Sequence, residues 1–134
     1  MSQLEIAYRT CHFKSPISVS SRSISKILID PHYEKHNQEV LESLTRKNIR
    51  LSPSELAEKL ITDDLICELV KLFHERDFPA WKKENGWEYF STLIIYHRGK
   101  AYHLKWFWPK DAKNNNNFLI VRTCYREDKY DSKE

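Results

Sequence analysis

The sequence predicts an α+β fold, with N-terminal helices packed on a C-terminal antiparallel β-sheet of three to four strands. Two observations carry that expectation. Between residues 30 and 78 apolar side chains recur at helical spacing, punctuated by Asp-Pro and Ser-Pro-Ser-Glu starts. From residue 86 to 126 the period falls to two, and Arg98-Gly99 stands where a two-residue hairpin turn is needed. The 134 residues suit a single domain, 1–134. Within it, 1–29 reads as a strand and short-helix region and 127–134 as a frayed tail.

Each element has a local reason. Leu4, Ile6 and Tyr8 alternate with polar neighbours as in a strand, and Ser15-Pro16 separates them from Ile17 and Val19, a second short strand. The stretch 21–29 (SRSISKILI) reads as a short helix. Asp30 is placed to cap a following helix with Pro31 at its first position; Tyr33, Val40, Leu41 and Leu44 form its inward face to about Thr45. Ser52 and Glu55 have capping-box spacing around Pro53, which opens a helix ending near Leu60. Thr62-Asp63-Asp64 opens the main core helix, with Leu65, Ile66, Leu69, Val70 and Phe73 on one stripe. Strands are expected at 88–97, 101–108 and 118–126, with a polar loop at 109–117.

Composition narrows the function. An aromatic share of 13% argues against disorder. A mean hydropathy of −0.68, with no apolar run of spanning length, predicts no membrane partner. No basic start leads into an apolar stretch, so a cytoplasmic location is expected. Cys11, Cys67 and Cys124 are an odd number without a CxxC pair and read as three partly buried thiols. With glycine only at 86 and 99, phosphate-cradling glycine loops are excluded. The charge is concentrated. Residues 97–126 hold seven basic residues against Asp111, interleaved with Tyr102, Trp106, Phe107, Trp108 and Tyr125. That combination is the footprint of a nucleic-acid binder, or else a solvated sheet face.

His32 and His36 in PHYEKH lie one helical turn apart, bordering the inward face. An imidazole exchanges protons near neutrality, which suits general acid–base work at a cleft rim. A metal pair, completed by His12, Cys11 or a distant acid, and two surface histidines are the competing readings; HYEKH lacks the zincin order. The last strand adds Arg122, Thr123, Tyr125 and Arg126, with Arg122, Cys124 and Arg126 expected on one side and Thr123 and Tyr125 on the other. Cations with hydroxyls are what a phosphodiester transition state needs.

In this order, PHYEKH, the helix ITDDLICELV, the Gly99-Lys100-Ala101-Tyr102 hairpin and the closing Thr123-Cys124-Tyr125-Arg126 resemble the BECR-fold superfamily of small endoribonuclease toxins (the barnase, EndoU, colicin-type and RelE-like group). The resemblance spans roughly 32–126, and the capped helix at 52–60 stands as an insertion. It implies a metal-independent, cofactor-free ribonuclease attacking through the ribose 2′-OH. His32 or His36 would be acid–base, Thr123 and Tyr125 the closing-strand hydroxyls, and Lys105, Arg122 and Arg126 the phosphate binders. Expected partners are RNA, whether tRNA or mRNA, and a cognate antitoxin or immunity protein. A non-catalytic immunity or antitoxin-like protein is the alternative.

Overall fold

Two serines reverse the chain at its first hairpin. Ser20 and Ser21 take φ of 49° and 64°, left-handed values that tight hairpin turns require. They join β1 (Arg9–Val19) to β2 (Arg22–Ile29). Serine is not the usual residue there, and the turn is held from outside. Ser20 N–H donates to Arg76 O at 2.8 Å, and Ser20 Oγ accepts from Phe78 N–H at 3.2 Å. The computed structural model describes residues 8–78, 80–84, 87–91, 94–108 and 118–130. The anticipated strand at the N-terminus therefore lies mostly outside the described residues.

The short helix expected over 21–29 is β2. Ile24 and Ile27, spaced like a helical face, are both buried. The ladder slips between His12↔Lys26 and Ile17↔Ile24, so residues 13–16 of β1 stand opposite Ser25 alone. That irregularity carries Pro16, and β1 is an edge strand, where a missing N–H is tolerated. Ser15-Pro16 thus bends one strand and does not divide two.

The sheet is also larger than expected, and mixed. Among the described residues β1 and β2 are joined by β3 (Ala80–Glu84), β4 (Trp87–Ser91), β5 (Ile95–His97), β6 (Lys100–Phe107) and β7 (Phe118–Arg126). These seven strands run in the order β1-β2-β7-β6-β4-β3, with β5 also on β6. β7 lies parallel to β2 through Lys26↔Phe118 to Ile29↔Val121. β3 adds an unanticipated edge. The strand expected at 88–97 divides into β4 and β5, which follow one another along the same side of β6. Arg98 and Gly99 make the β5–β6 turn at φ 54° and 77°, the primed geometry expected there.

The helices start where short-range chemistry places them. α1 (Tyr33–Arg46) is preceded by a tight first turn, Glu34 N–H to Pro31 O and Lys35 N–H to His32 O. Asp30 Oδ1 accepts from His32 N–H at 2.9 Å and so holds the turn before the helix. The N-cap residue, however, is His32, which makes no side-chain cap bond. α1 therefore begins two residues later than an Asp30 cap with Pro31 at the first helical position would place it. Of α1's residues only Tyr33 is buried; Val40, Leu41 and Leu44 are half-covered and do not form a core face. α2 (Pro53–Lys59) carries the full capping box. Thr62 Oγ1 caps α3 (Asp63–Lys71) through Leu65 N–H at 3.1 Å. α3 supplies Ile66, Leu69 and Val70, and the turn after it Phe73, to a core centred on Trp106. The Trp106 ring lies 4.5 Å from Phe73 and 5.0 Å from Phe78. Beyond β7 a short 3-10 turn, η1 (Asp128–Tyr130), replaces the start of the frayed tail. No helix among the described residues is long and apolar enough to cross a membrane.

Two of the three cysteines are not thiols. Cys11 of β1 and Cys67 of α3 form a disulfide, with Cα atoms 6.4 Å apart across a sequence separation of 56. An odd count hid the pair, because Cys124 is left over, buried in the core.

The capping box makes a sharp prediction. Glu55 is held below the ordinary carboxylate range, chiefly because it accepts from the Ser52 backbone N–H. A depressed folded value stabilises above the unfolded pKa and is lost as pH falls. The advantage of wild type over Glu55→Ala in urea titrations is therefore expected to be complete above about pH 5 and to fade below about pH 4. Ser52→Ala, which removes the cap, should cost about 1 kcal/mol at neutral pH.

Candidate active site

The site forms where β2 leaves the sheet. Its last pair with β7 is Ile29↔Val121, closed by Asp30 N–H to Val121 O at 2.9 Å. β7 continues to Arg126 with β6 on its other side, and α1 comes against this second half. The His36 ring lies 6.4 Å from Tyr125, and His32 stands edge-on to His36 at 5.4 Å. The i, i+4 spacing read from sequence therefore sets the two imidazoles edge to face, with His36 the one beside Tyr125 of β7.

On the far side of Tyr125 stands His103 of β6, its direct partner in the ladder. The Tyr125 hydroxyl and His103 Nδ1 share a hydrogen bond of 2.6 Å, and Glu127 Oε1 lies 4.0 Å from the same nitrogen. Burial, with a smaller contribution from the Glu127 charge, pushes the Tyr125 phenol up. At neutral pH it is therefore a hydroxyl, able to donate to an anionic oxygen, and not a phenolate. Glu39 Oε2 lies 3.8 Å from His36 Nδ1, beyond hydrogen-bond reach, so it acts on that ring only through its charge. The row runs His32, His36, Tyr125, His103, Glu127.

Beside it opens a cavity of about 600 Å³, lined by α1, the 47–51 link, Lys59, Ile61 and the end of β7. Three of the residues proposed from sequence line it together: His36, Tyr125 and Arg126. Arg126 also lies 5.3 Å over the Tyr102 ring. His32 is exposed and reaches the cavity only through His36. Thr123 and Lys105 face each other in the β6–β7 ladder, half-buried, and do not line it. Neither does Arg122, which is exposed.

The sidedness expected for β7 needs correction. The ladder steps from Lys105↔Thr123 to Trp106↔Val121, leaving Arg122 as the extra residue of a bulge. Alternation resets there, so Cys124 is buried while Arg122 meets solvent. Burial pushes the Cys124 thiol up to about 12, far from the thiolate a nucleophile needs at neutral pH.

His103, Glu127, Glu39, Lys47 and Lys59 were not singled out from sequence. Alternation against Tyr102, Leu104 and Trp106 does mark His103 as facing away from the core. Its pairing with Tyr125 depends on the β6–β7 register, which no short-range signal sets. Among the described residues no three His, Cys, Asp or Glu side chains come together as a metal-binding group, so the histidine pair gains no third ligand there.

What the fold and site define is an α+β protein with a histidine–tyrosine row beside an open cavity. No protein family, curated protein or solved structure was found to match the chain.

Proposed function

We propose that the protein is a metal-independent endoribonuclease of the toxin type, acting on tRNA or mRNA in the cytoplasm and restrained by a cognate antitoxin or immunity protein. The observation that supports this reading best is the approach of His36 to Tyr125 at the edge of a cavity that Arg126 also lines. In the reaction His36 accepts the proton of a ribose 2′-OH as its oxygen forms a bond to the adjacent phosphorus. The bond from phosphorus to the 5′-oxygen breaks, leaving a 2′,3′-cyclic phosphate, and the 5′-oxygen takes a proton from the protonated imidazole or from water. Tyr125 donates a hydrogen bond to a non-bridging oxygen, and Arg126 offsets the developing negative charge. The 2′-OH requirement makes RNA, not DNA, the substrate.

The test is incubation of purified protein with total RNA in EDTA, beside His36→Ala. Cleavage by wild type alone supports the proposal; cleavage by both alike, or by neither, counts against it. Induced expression without a partner should also arrest growth, which an immunity protein would not do.

Arg122 belongs to the same reading as a backbone contact outside the cavity. Arg122→Ala is expected to weaken RNA binding across sequences and to flatten the log–log salt slope by about 0.7 on single strands. Its exposed side chain has little packing to lose, so the thermal midpoint should stay put. A large drop in stability would instead identify Arg122 as a structural residue.

A further inference from the structure

We infer that the cavity beside His36 and Tyr125 holds one nucleotide of the RNA, its base against the apolar wall of α1 and the 47–51 link and its phosphate between Lys47 and Lys59. This rests on the RNA-cleaving reading and names what part of the substrate the site grips.

The wall is built by the end of α1. Asn48 takes a φ of 56°, and its N–H bonds Thr45 O while Ile49 N–H bonds Leu44 O at 2.9 Å. That pair is a Schellman ending, which folds the residue after the left-handed one back over the last helical turn. Ile49 is thereby brought back over Leu44, and at 45% exposed it is one of four large hydrophobic residues left to solvent among the described residues. Val40, Leu44 and Leu51 are half-covered around it, and Ile61, 4% exposed, forms the floor. The floor is fixed: Asn37 bonds both the N–H and the carbonyl of Ile61, at 2.9 and 2.8 Å.

The apolar wall accounts for a flat base, and the charge accounts for its phosphate. Lys47, Lys59 and Arg126 line the cavity against Glu39 alone, a balance of 3 − 1 = +2. Neither Lys47 nor Lys59 has a carboxylate within ion-pairing distance among the described residues, and Lys59 is offset only at longer range by Glu55, one turn earlier on α2. A volume of about 600 Å³ falls within the range of small-ligand sites. Glu39 and Ser43, one turn apart on α1, offer hydrogen bonds to a base edge. Continuity with His36 and Tyr125 would place the gripped nucleotide next to the bond that is cut.

The test titrates the full chain with each of the four nucleoside 5′-monophosphates, with ribose 5-phosphate and with inorganic phosphate, following backbone amides by NMR. At least one nucleotide should bind about tenfold more tightly than ribose 5-phosphate, with the Leu44 and Ile49 amides moving most. Leu44→Trp and Ser43→Trp, each filling the cavity from α1, should lose that advantage. Lys47→Ala, an exposed position, should weaken nucleotide binding about threefold or more without touching the fold. Equal binding of nucleotide and ribose 5-phosphate, or unchanged nucleotide binding in the folded variants, overturns the pocket. Nucleotide binding without RNA cleavage supports the pocket and removes the nuclease; RNA cleavage without nucleotide binding removes the pocket alone.

Discussion

On the proposed mechanism His36→Ala is expected to cleave RNA about 100- to 1,000-fold more slowly than wild type, the lower part of the range contributed by a positioned general base. That corresponds to about 2.7–4 kcal/mol of barrier. The side chain is 40% exposed, so the thermal midpoint should move little. Tyr125→Phe keeps the ring beside His36 but removes the hydroxyl held by His103. A loss comparable to removal of one oxyanion donor, on the order of 100-fold in kcat, is expected for it. His32→Ala, one ring further from Tyr125, should cost less than either. Single-turnover cleavage of one defined RNA by the three variants gives the order directly. An inverted order, with His32→Ala the most damaged, would move the base to the other end of the histidine pair.

Opening the Cys11–Cys67 bridge is expected to lower the unfolding free energy by about 4 kcal/mol, the chain-entropy value for a separation of 56 residues. Unfolding temperature should fall by roughly 15 °C, since about 4 °C accompanies each kcal/mol near this size. The native fold should nevertheless survive reduction. Arg9 of β1 still reaches Asp63 of α3, and it bonds Glu34 and the Tyr33 hydroxyl. The comparison is thermal unfolding of wild type with and without dithiothreitol, beside the Cys11→Ser/Cys67→Ser double variant. Thiol titration of the denatured, unreduced chain should find Cys124 alone; three reactive thiols would falsify the bridge. In a reducing cytosol the pair would stand open, so the cytoplasmic proposal and full stability belong to different redox conditions.

The elements legible in the sequence are those whose cause lies within one turn or one hairpin. Ser52 and Glu55 satisfy each other's backbone across three residues, and Thr62 caps Leu65 across the same distance. The α3 stripe and the Arg98-Gly99 turn are local for the same reason. The candidate site was half legible: His36, Tyr125 and Arg126 carry recognisable chemistry, and a single cavity does gather them. Misreadings fell where a distant partner decided. The isoleucines of 21–29 match a helical spacing, yet they are a strand because β1 on one side and β7 on the other take up its hydrogen bonds. The β2–β7 pairing crosses about ninety residues of chain, and no nearest-neighbour signal anticipates a parallel partner.

The same division separates the parts of the site. The starts of α2 and α3 and the spacing of the histidines on α1 were legible in the residues alone, because side-chain periodicity and capping hydrogen bonds act over three or four residues. Long-range packing set the rest: His103 meets Tyr125, a bulge turns Arg122 out to solvent, and Cys11 closes on Cys67. Each of those depends on strand register and sheet order, which burial of a shared core sets over long stretches of chain.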